Sequence, residues 1–181
     1  MIALYTCLEA QRSSTQLLTA AAAAFLRCTP QDPRLTIVRR PGKRPEFPHL
    51  PGCFFSVSHS GNRWMCAAAR VPLGLDLQQH QACQAQRLAA RFFHPEEIDW
   101  LHAQNYAPGA FFQIWTRKEA YVKYLGIGIT QGLDWFSVVA DGALRDRLGE
   151  AWFLPVEAPQ GFSLCLCSQQ PAPVFHYSLT P

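Results

Sequence analysis

The sequence predicts an α+β protein in which short strands and helices share one chain. Apolar and polar residues alternate over Val71–Gln78, which is typical of a half-buried strand. Phe111–Lys123 consists of good helix formers without interior Gly or Pro. Prolines divide the last third into short strand-forming runs. With 181 residues, 49% of them hydrophobic, the chain is long enough to bury a core as one domain or two small lobes.

The first third is predicted to hold one helix among several strands. The helix begins at a cap on Ser13 or Ser14 and ends near Arg27, because Thr29-Pro30 stops it. Strands are expected at Ile2–Leu8, Leu35–Val38, Cys53–Val57 and Trp64–Ala69. A tight turn is expected at Ser58-His59-Ser60-Gly61.

The loop Arg39–Pro45 carries four cations between prolines and a glycine. Composition alone allows either a solvated basic turn or an anion site on a loop stiffened by proline.

The rest of the chain is predicted to hold three helices followed by strands. The helices are expected at Ala82–Phe93, Pro95–Gln104 and Phe111–Lys123, and Gly126-Ile127-Gly128 ends the last one. Glu96 and Glu97 lie near the positive end of a helix dipole, so we interpret them as structural. The later strands are expected near Trp135–Val139, Ala151–Leu154, Gly161–Cys167 and Val174–Ser178. A boundary near Val71 divides the chain into lobes of residues 1–70 and 71–181.

Composition excludes several classes of protein. A formal charge of +3 is too mild to indicate a nucleic-acid partner. The seven cysteines show no metal-binding spacing and fit a reducing compartment. The longest apolar run, Ala20–Leu26, is far too short to span a membrane, and no signal peptide is indicated. We expect a cytoplasmic protein with neither a nucleic-acid nor a membrane partner.

Charges interrupt the apolar face of the helix over Phe111–Lys123. At about 100° per residue, Glu119 projects onto the apolar arc, and Lys118 and Lys123 border it. The apolar members of that arc are Phe111, Phe112, Trp115 and Val122, and the opposite, wet face is predicted to hold Gln113, Thr116, Arg117 and Tyr124. Burying an unpaired charge costs several kcal/mol, so these charges need partners. The simpler alternative is a surface ion pair between Glu119 and Lys123.

Asp76 lies beside Gly74 on one face of the Val71–Gln78 strand. It could bind a metal if a second carboxylate meets it, or it could be a strand-end residue that faces water.

Three segments in this order resemble the 4'-phosphopantetheinyl transferases, specifically the two-lobed type that activates surfactin synthetase. They are Gly74-Leu75-Asp76, Arg91–Glu97 and Trp115–Lys123. The resemblance extends upstream to Gly42–Pro45 and Ser58–Gly61 and covers residues 37–139.

The resemblance implies two α+β lobes related by a pseudo-twofold axis, with coenzyme A in the cleft between them. The first lobe, at about 70 residues, is shorter than that type implies. The family transfers the phosphopantetheine arm of coenzyme A to a serine of an apo carrier protein and leaves adenosine 3',5'-bisphosphate. Such carriers serve fatty acid, polyketide and nonribosomal peptide synthesis. A monomer that requires Mg²⁺ or Mn²⁺ is expected.

The resemblance also assigns roles to residues. Asp76 and Glu119 match the metal ligands, and Gln78 stands where many relatives have a third acidic residue, so it is expected to ligate weakly or through water. Looser metal binding than at a three-carboxylate site should follow. Glu119 resembles the residue that deprotonates the carrier serine, either directly or through a metal-bound water.

Cations near the coenzyme A phosphates complete the predicted site. Lys118 and Lys123 are expected at the pyrophosphate, and Lys123 joins Asp76 and Glu119 as a catalytic candidate. The residues expected to contact coenzyme A elsewhere are Lys43, Ser58, His59, Arg39, Arg40 and Arg44. We expect the cleft face of the helix to be wet when metal and coenzyme A are absent.

Two other functions are compatible with such a chain. A non-catalytic module that binds carrier protein or coenzyme A would be expected to lack Asp76, Glu119 or Lys123, and all three are present. Another coenzyme A enzyme, such as an acetyltransferase, would leave the pair of predicted metal ligands unexplained.

Overall fold

The first sheet contains both the beginning and a late segment of the chain. The structure, a computed structural model, describes residues 1–8, 12–39, 45–127 and 132–179. Four strands form this sheet in the order β10-β1-β3-β2, with bounds β1 Ile2–Leu8, β2 Phe54–Ser60, β3 Arg63–Ala69 and β10 Val174–Ser178. β10 runs parallel to β1, whereas β3 is antiparallel to both β1 and β2.

Helix α1, Ser14–Leu26, covers one face of this sheet. Its first turn is closed by a capping box between Ser13 and Gln16, and its last turn ends at Arg27 in the left-handed conformation.

The second sheet has the strand order β4-β9-β8-β7. Its strands are β4 Leu73–Gln79, β7 Arg147–Leu148, β8 Ala151–Leu154 and β9 Phe162–Ser168. A separate two-stranded hairpin consists of β5 Val139–Ala140 and β6 Ala143–Leu144. Three helices of the described residues lie between β4 and the hairpin: α2 Ala85–Phe92, α3 Pro95–Ala103 and α4 Pro108–Leu125.

The elements stack in four layers, α1, first sheet, second sheet and α4. The two sheets pack through a shared cluster that includes Ile2 and Leu4 from β1 and Leu73, Leu75 and Leu77 from β4. The opposite face of the second sheet packs against α2, α3 and α4. Because side chains alternate along a strand, the leucines of β4 face the first sheet while Asp76 faces α4.

The α+β class is confirmed, as are most of the predicted elements. β1 and β10 have the predicted bounds, and α1 and α4 lie where caps and periodicity placed them. None of the helices in the described ranges is long and apolar enough to cross a membrane.

Three local predictions were wrong. Leu35–Val38 is not a strand, because Asp32 caps a 3-10 turn at Pro33–Leu35 and only Val38 forms a bridge, to Glu46. Ser58-His59-Ser60 continues β2 instead of forming the turn. Of Trp135–Val139, only Val139 is in a strand.

The boundary predicted near Val71 falls between β3 and β4. The chain nevertheless returns to the first sheet at β10, so residues 174–178 pair outside the 71–181 lobe. The division into two lobes related by a pseudo-twofold axis stays a prediction.

Candidate active site

A glycine allows α4 to lie directly on β4. A methyl group at Gly74 would collide with the backbone of α4, reaching the carbonyl oxygen of Ala120 and coming within 2.5 Å of the Tyr124 nitrogen. Backbone atoms cannot move aside as a flexible side chain can. The hydrogen at this position therefore lets α4 bring Glu119 and Lys123 over the strand that carries Asp76.

Asp76 is held by donors on two other elements. Its carboxylate is 2% exposed, and its Oδ1 accepts from Lys123 Nζ at 2.7 Å and from Ser58 Oγ at 2.9 Å. From the residues that the structure describes, its Oδ2 has only a longer contact, 3.4 Å, with Gln78 Nε2. Lys123 Nζ also donates to the Leu75 carbonyl at 3.0 Å, so it bridges the backbone and the side chain of β4.

Glu119 is the buried carboxylate without a protein partner. The residue is 5% exposed, and among the described residues its carboxylate has no hydrogen bond or ion pair. Burial and, second, the neighbouring charge of Asp76 raise the pKa of Glu119 to about 7, while Lys123 acts in the opposite direction. The predicted surface pair between Glu119 and Lys123 is absent from the described contacts, since Lys123 pairs with Asp76 instead.

The face of α4 that we expected to be wet is mostly buried, and Lys123 is the most exposed of its three charged residues. Lys118 is fully buried, Glu119 is nearly so, and 31% of the Lys123 side chain is exposed. Thr116, which we predicted to lie on the wet side, is also buried, and its hydroxyl donates to the Phe112 carbonyl.

The donor set fits a small divalent cation. Two neighbouring carboxylates, one of them without a protein partner, present hard oxygen ligands, as Mg²⁺ prefers. Gln78 lies beside Asp76 and could add an amide oxygen, which at present accepts from Ser60 Oγ at 3.4 Å. In the described ranges no group of three or more His, Cys, Asp or Glu is arranged to hold a metal. A cation here would therefore rely on Asp76, Glu119 and non-protein oxygens.

Lys118 does not face this site. Its Nζ donates at 2.6 Å to Glu97 Oε1 and at 2.6 Å to the Phe136 carbonyl, and it lies 4.1 Å from the centre of the Phe136 ring. Burial lowers the pKa of Lys118, and the Glu97 carboxylate opposes that effect. Because the ammonium group is fully buried and already paired, Lys118 is not available to the pyrophosphate, and that prediction needs correction.

Glu97 completes this internal network. Its two oxygens also accept from the backbone N–H groups of Val138 and His94, at 2.8 and 2.9 Å. The interpretation of Glu97 as structural is confirmed.

Ser58 and His59 lie on opposite faces of β2, because side chains alternate along a strand. Ser58 is buried against β4, where its one hydroxyl proton is directed to Asp76. The same proton cannot serve a phosphate, so the structure places Ser58 with the carboxylate, in contrast to our prediction.

Three serines of β2 join the two sheets, a role that the sequence analysis missed. The N–H groups of Leu75, Leu77 and Gln79 on β4 donate to the hydroxyls of Ser56, Ser58 and Ser60 at 2.9, 3.1 and 2.9 Å. We call these three bonds the serine seam. The available signal was the serine at every second position of Phe54–Ser60.

The other predicted coenzyme A contacts lie on the far face of the first sheet or outside the described residues. Arg39 is exposed and donates to Thr15 Oγ1 at 3.1 Å, in the first turn of α1. His59 is exposed and opposes Trp64, whose indole donates to Ser14. Both therefore lie on the side of α1. Arg40, Lys43 and Arg44 lie outside the described residues.

Comparison with known proteins agrees with this geometry. A sequence model described as the 4'-phosphopantetheinyl transferase superfamily matches residues 72–167, which contain β4, α4 and the Asp76, Glu119 and Lys123 cluster. The chain belongs to this superfamily.

Individual members of the superfamily are similar over a large part of the chain. A 4'-phosphopantetheinyl transferase of Bacillus subtilis is 32% identical over 124 residues, which are 67% of this chain and 51% of the relative. The 4'-phosphopantetheinyl transferase Sfp of Bacillus subtilis strain 168 is 30% identical over 136 residues, 71% of this chain and 60% of the relative. A third transferase, gsp of Aneurinibacillus migulanus, is 38% identical over 77 residues, which are 41% of this chain and 32% of the relative. The chain thus spans between half and three fifths of the length of the first two relatives.

Proposed function

We propose that the protein transfers the 4'-phosphopantetheine arm of coenzyme A to a serine of an apo acyl or peptidyl carrier protein. Adenosine 3',5'-bisphosphate leaves, and the reaction requires Mg²⁺ or Mn²⁺. The observation that carries the proposal is the buried Glu119, whose carboxylate has no hydrogen-bond or ion-pair partner among the described residues, beside Asp76 and Lys123. Membership of the superfamily makes this chemistry the natural assignment.

Glu119 is the proposed general base. Burial raises the pKa of Glu119 to about 7 in the absence of a cation, and a base is most effective when its pKa lies near the working pH. In the proposed step the carrier serine loses its proton to Glu119 as its oxygen forms a bond to phosphorus. The phosphorus–oxygen bond to the adenosine bisphosphate then breaks.

Lys123 supplies the positive charge. Its side chain is 31% exposed, and its ammonium group lies at the carboxylate cluster. A cation in this place would neutralise charge that develops on the pyrophosphate.

Asp76 and Glu119 would hold the divalent cation, with Gln78 as a weak further ligand. When bound, that cation would supply electrostatic stabilisation of the pyrophosphate.

Coenzyme A is proposed to extend from this cluster toward the first sheet. Arg39 and His59 stay predicted contacts of its phosphates, although both lie on the α1 face of the first sheet, together with Lys43, Arg40 and Arg44 from the basic loop. Val38 and Glu46 bridge the two ends of that loop. We further propose that the protein acts as a cytoplasmic monomer.

The test is incubation with coenzyme A, Mg²⁺ and several apo carrier proteins, followed by intact-mass measurement of each carrier. We expect a phosphopantetheine adduct on at least one carrier, and no adduct when that carrier has alanine in place of its acceptor serine. Glu119→Gln should abolish transfer while coenzyme A still binds.

Absence of an adduct on every carrier would overturn the proposal. Binding of carrier or coenzyme A without transfer would then favour the non-catalytic module.

A further inference from the structure

The serine seam differs at its centre from its two ends. β2 and β4 are edge strands of their sheets, so one side of each backbone has no strand partner. Each seam bond satisfies one β4 N–H group on that side. Only Ser58, in the middle, also contacts a carboxylate of the candidate site.

The hydroxyl of Ser58 has a fixed orientation. A serine hydroxyl has one proton and two lone pairs. One lone pair accepts the Leu77 N–H at 3.1 Å, and the proton is directed to Asp76 Oδ1 at 2.9 Å, which is closer than the alternative acceptor, the Leu77 carbonyl, at 3.4 Å. Burial of both partners keeps water from competing for these bonds.

This orientation gives the two carboxylate oxygens of Asp76 different hydrogen-bond environments. Oδ1 receives two close donors, Ser58 and Lys123, whereas within the described part of the chain Oδ2 has only the 3.4 Å contact with Gln78. Oδ2 is therefore the oxygen that is free to bind a cation.

We propose that Ser58 is a positioning residue, which fixes the Asp76 carboxylate to the seam between the sheets and keeps Oδ2 available for the divalent cation. The inference rests on the proposed function, because it concerns the same metal site. It also assigns the seam a second role, since any shift of β2 along β4 would move Asp76 through Ser58.

Ser56 provides a matched control. It is as buried as Ser58, lies on the same face of β2, and accepts an equivalent bond from Leu75, but its hydroxyl makes no hydrogen bond to Asp76. Ser56→Ala and Ser58→Ala each remove one hydroxyl and leave one β4 N–H group without its acceptor. Any difference between the variants therefore reports the contact with Asp76.

The experiment measures Mn²⁺ affinity by electron paramagnetic resonance of the free ion, with the full chain and without coenzyme A. Removing a hydrogen bond behind a metal ligand weakens metal binding by roughly 10–100-fold, so we expect a loss of about tenfold in Ser58→Ala. Ser56→Ala should bind Mn²⁺ like the wild type. Ser58→Thr keeps the hydroxyl and should therefore bind Mn²⁺ more tightly than Ser58→Ala. Asp76→Asn should remove it, which identifies the site. Urea unfolding should show similar losses of stability in the two alanine variants.

Equal Mn²⁺ affinities in Ser56→Ala and Ser58→Ala would overturn the inference, as would a wild type that does not bind Mn²⁺. If Ser58→Ala does not fold, Ser58→Cys keeps the shape with a weaker donor and should show an intermediate affinity. Carrier modification by the wild type is measured separately. If the wild type modifies the carrier but Ser56→Ala and Ser58→Ala bind Mn²⁺ equally well, only the role of Ser58 is refuted. If Ser58→Ala alone loses Mn²⁺ affinity but the wild type modifies no carrier, only the proposed reaction is refuted.

Discussion

At the scale of single residues, three charges that lie close together on α4 have three different environments. Lys118 is buried in an internal ion pair, Glu119 is buried without a hydrogen-bond partner among the described residues, and Lys123 lies partly in solvent against Asp76. Periodicity placed all three on or beside the apolar face, but it could not distinguish them. Their partners come from α3, β4 and the segment around Phe136, which are distant in the sequence.

The Lys118–Glu97 pair should determine stability and not coenzyme A affinity. Lys118→Met leaves the Glu97 charge buried, and breaking such a pair destabilises a protein by about 3–5 kcal/mol. We expect that loss in urea unfolding. The double variant Glu97→Gln/Lys118→Met should be more stable than the sum of the single changes implies. If Lys118→Met raised the KM for coenzyme A and left the stability unchanged, Lys118 would instead contact the pyrophosphate.

The pKa of Glu119 predicts how stability changes with pH in the absence of metal. The folded-state pKa of about 7 lies above the ordinary value of 4.5, so folding favours the protonated carboxyl. This contribution is fully present below pH 4.5 and is lost as pH rises through 7, a change on the order of 3 kcal/mol. Urea unfolding at pH 5 and pH 8 should show the decrease.

Glu119→Gln should remove most of that pH dependence, because glutamine does not titrate. Added Mg²⁺ should raise the stability of the wild type at pH 8 and should have little effect on the variant. An equal slope with pH in both proteins would contradict the assignment.

At the scale of elements, the contact between α4 and β4 determines the candidate site. Gly74→Ala would force the helix away from the strand, and overpacking of this kind costs about 1–3 kcal/mol. We expect lower stability and a further loss of kcat, because Glu119 and Lys123 would shift relative to Asp76. The measurements are urea unfolding and single-turnover transfer.

Gly109→Ala is the control for this prediction. A methyl group there would only touch the His80 ring at 3.8 Å, an ordinary contact, and alanine favours the helix. Its stability and rate should be equal to or above those of the wild type. If Gly74→Ala had the stability and transfer rate of the wild type, the close approach of α4 to β4 would not be needed.

Elements with a strong local signal were predictable, and contacts between elements were not. The capping serine, the Pro108 start and the Gly126 end define α1 and α4 from nearby residues alone. Leu35–Val38 has strand-forming residues, but the capped turn begun by Asp32 took precedence. The serine seam depends on two strands meeting edge to edge, which no local pattern encodes.

The family motifs selected Asp76, Glu119 and Lys123, and the structure brings these three together. They failed for Lys118, because a motif records a residue type and its spacing but not the direction of the side chain.

At the scale of the whole molecule, the two sheets depend on each other. Their shared cluster and the serine seam join β1–β3 to β4, and β10 forms the edge of the first sheet. The fragment of residues 1–70 would expose the face that Ile2 and Leu4 bury and would lose β10. We expect it to be largely unfolded by circular dichroism and to show no cooperative urea transition.

Adding the fragment of residues 71–181 should restore structure if the two pieces complement each other. A cooperative transition in the first fragment alone would show that the predicted lobe at residues 1–70 folds independently.

The parallel pairing of β1 with β10 has a consequence for biosynthesis. It places Ile2 beside Val174, so during synthesis β1 waits for a partner that lies far downstream in the sequence. Until then, one edge of β1 stays open to other chains. A nascent chain of this kind cannot complete its first sheet until β10 has been made, and its exposure to aggregation should scale with the time needed to synthesise the residues between the two strands.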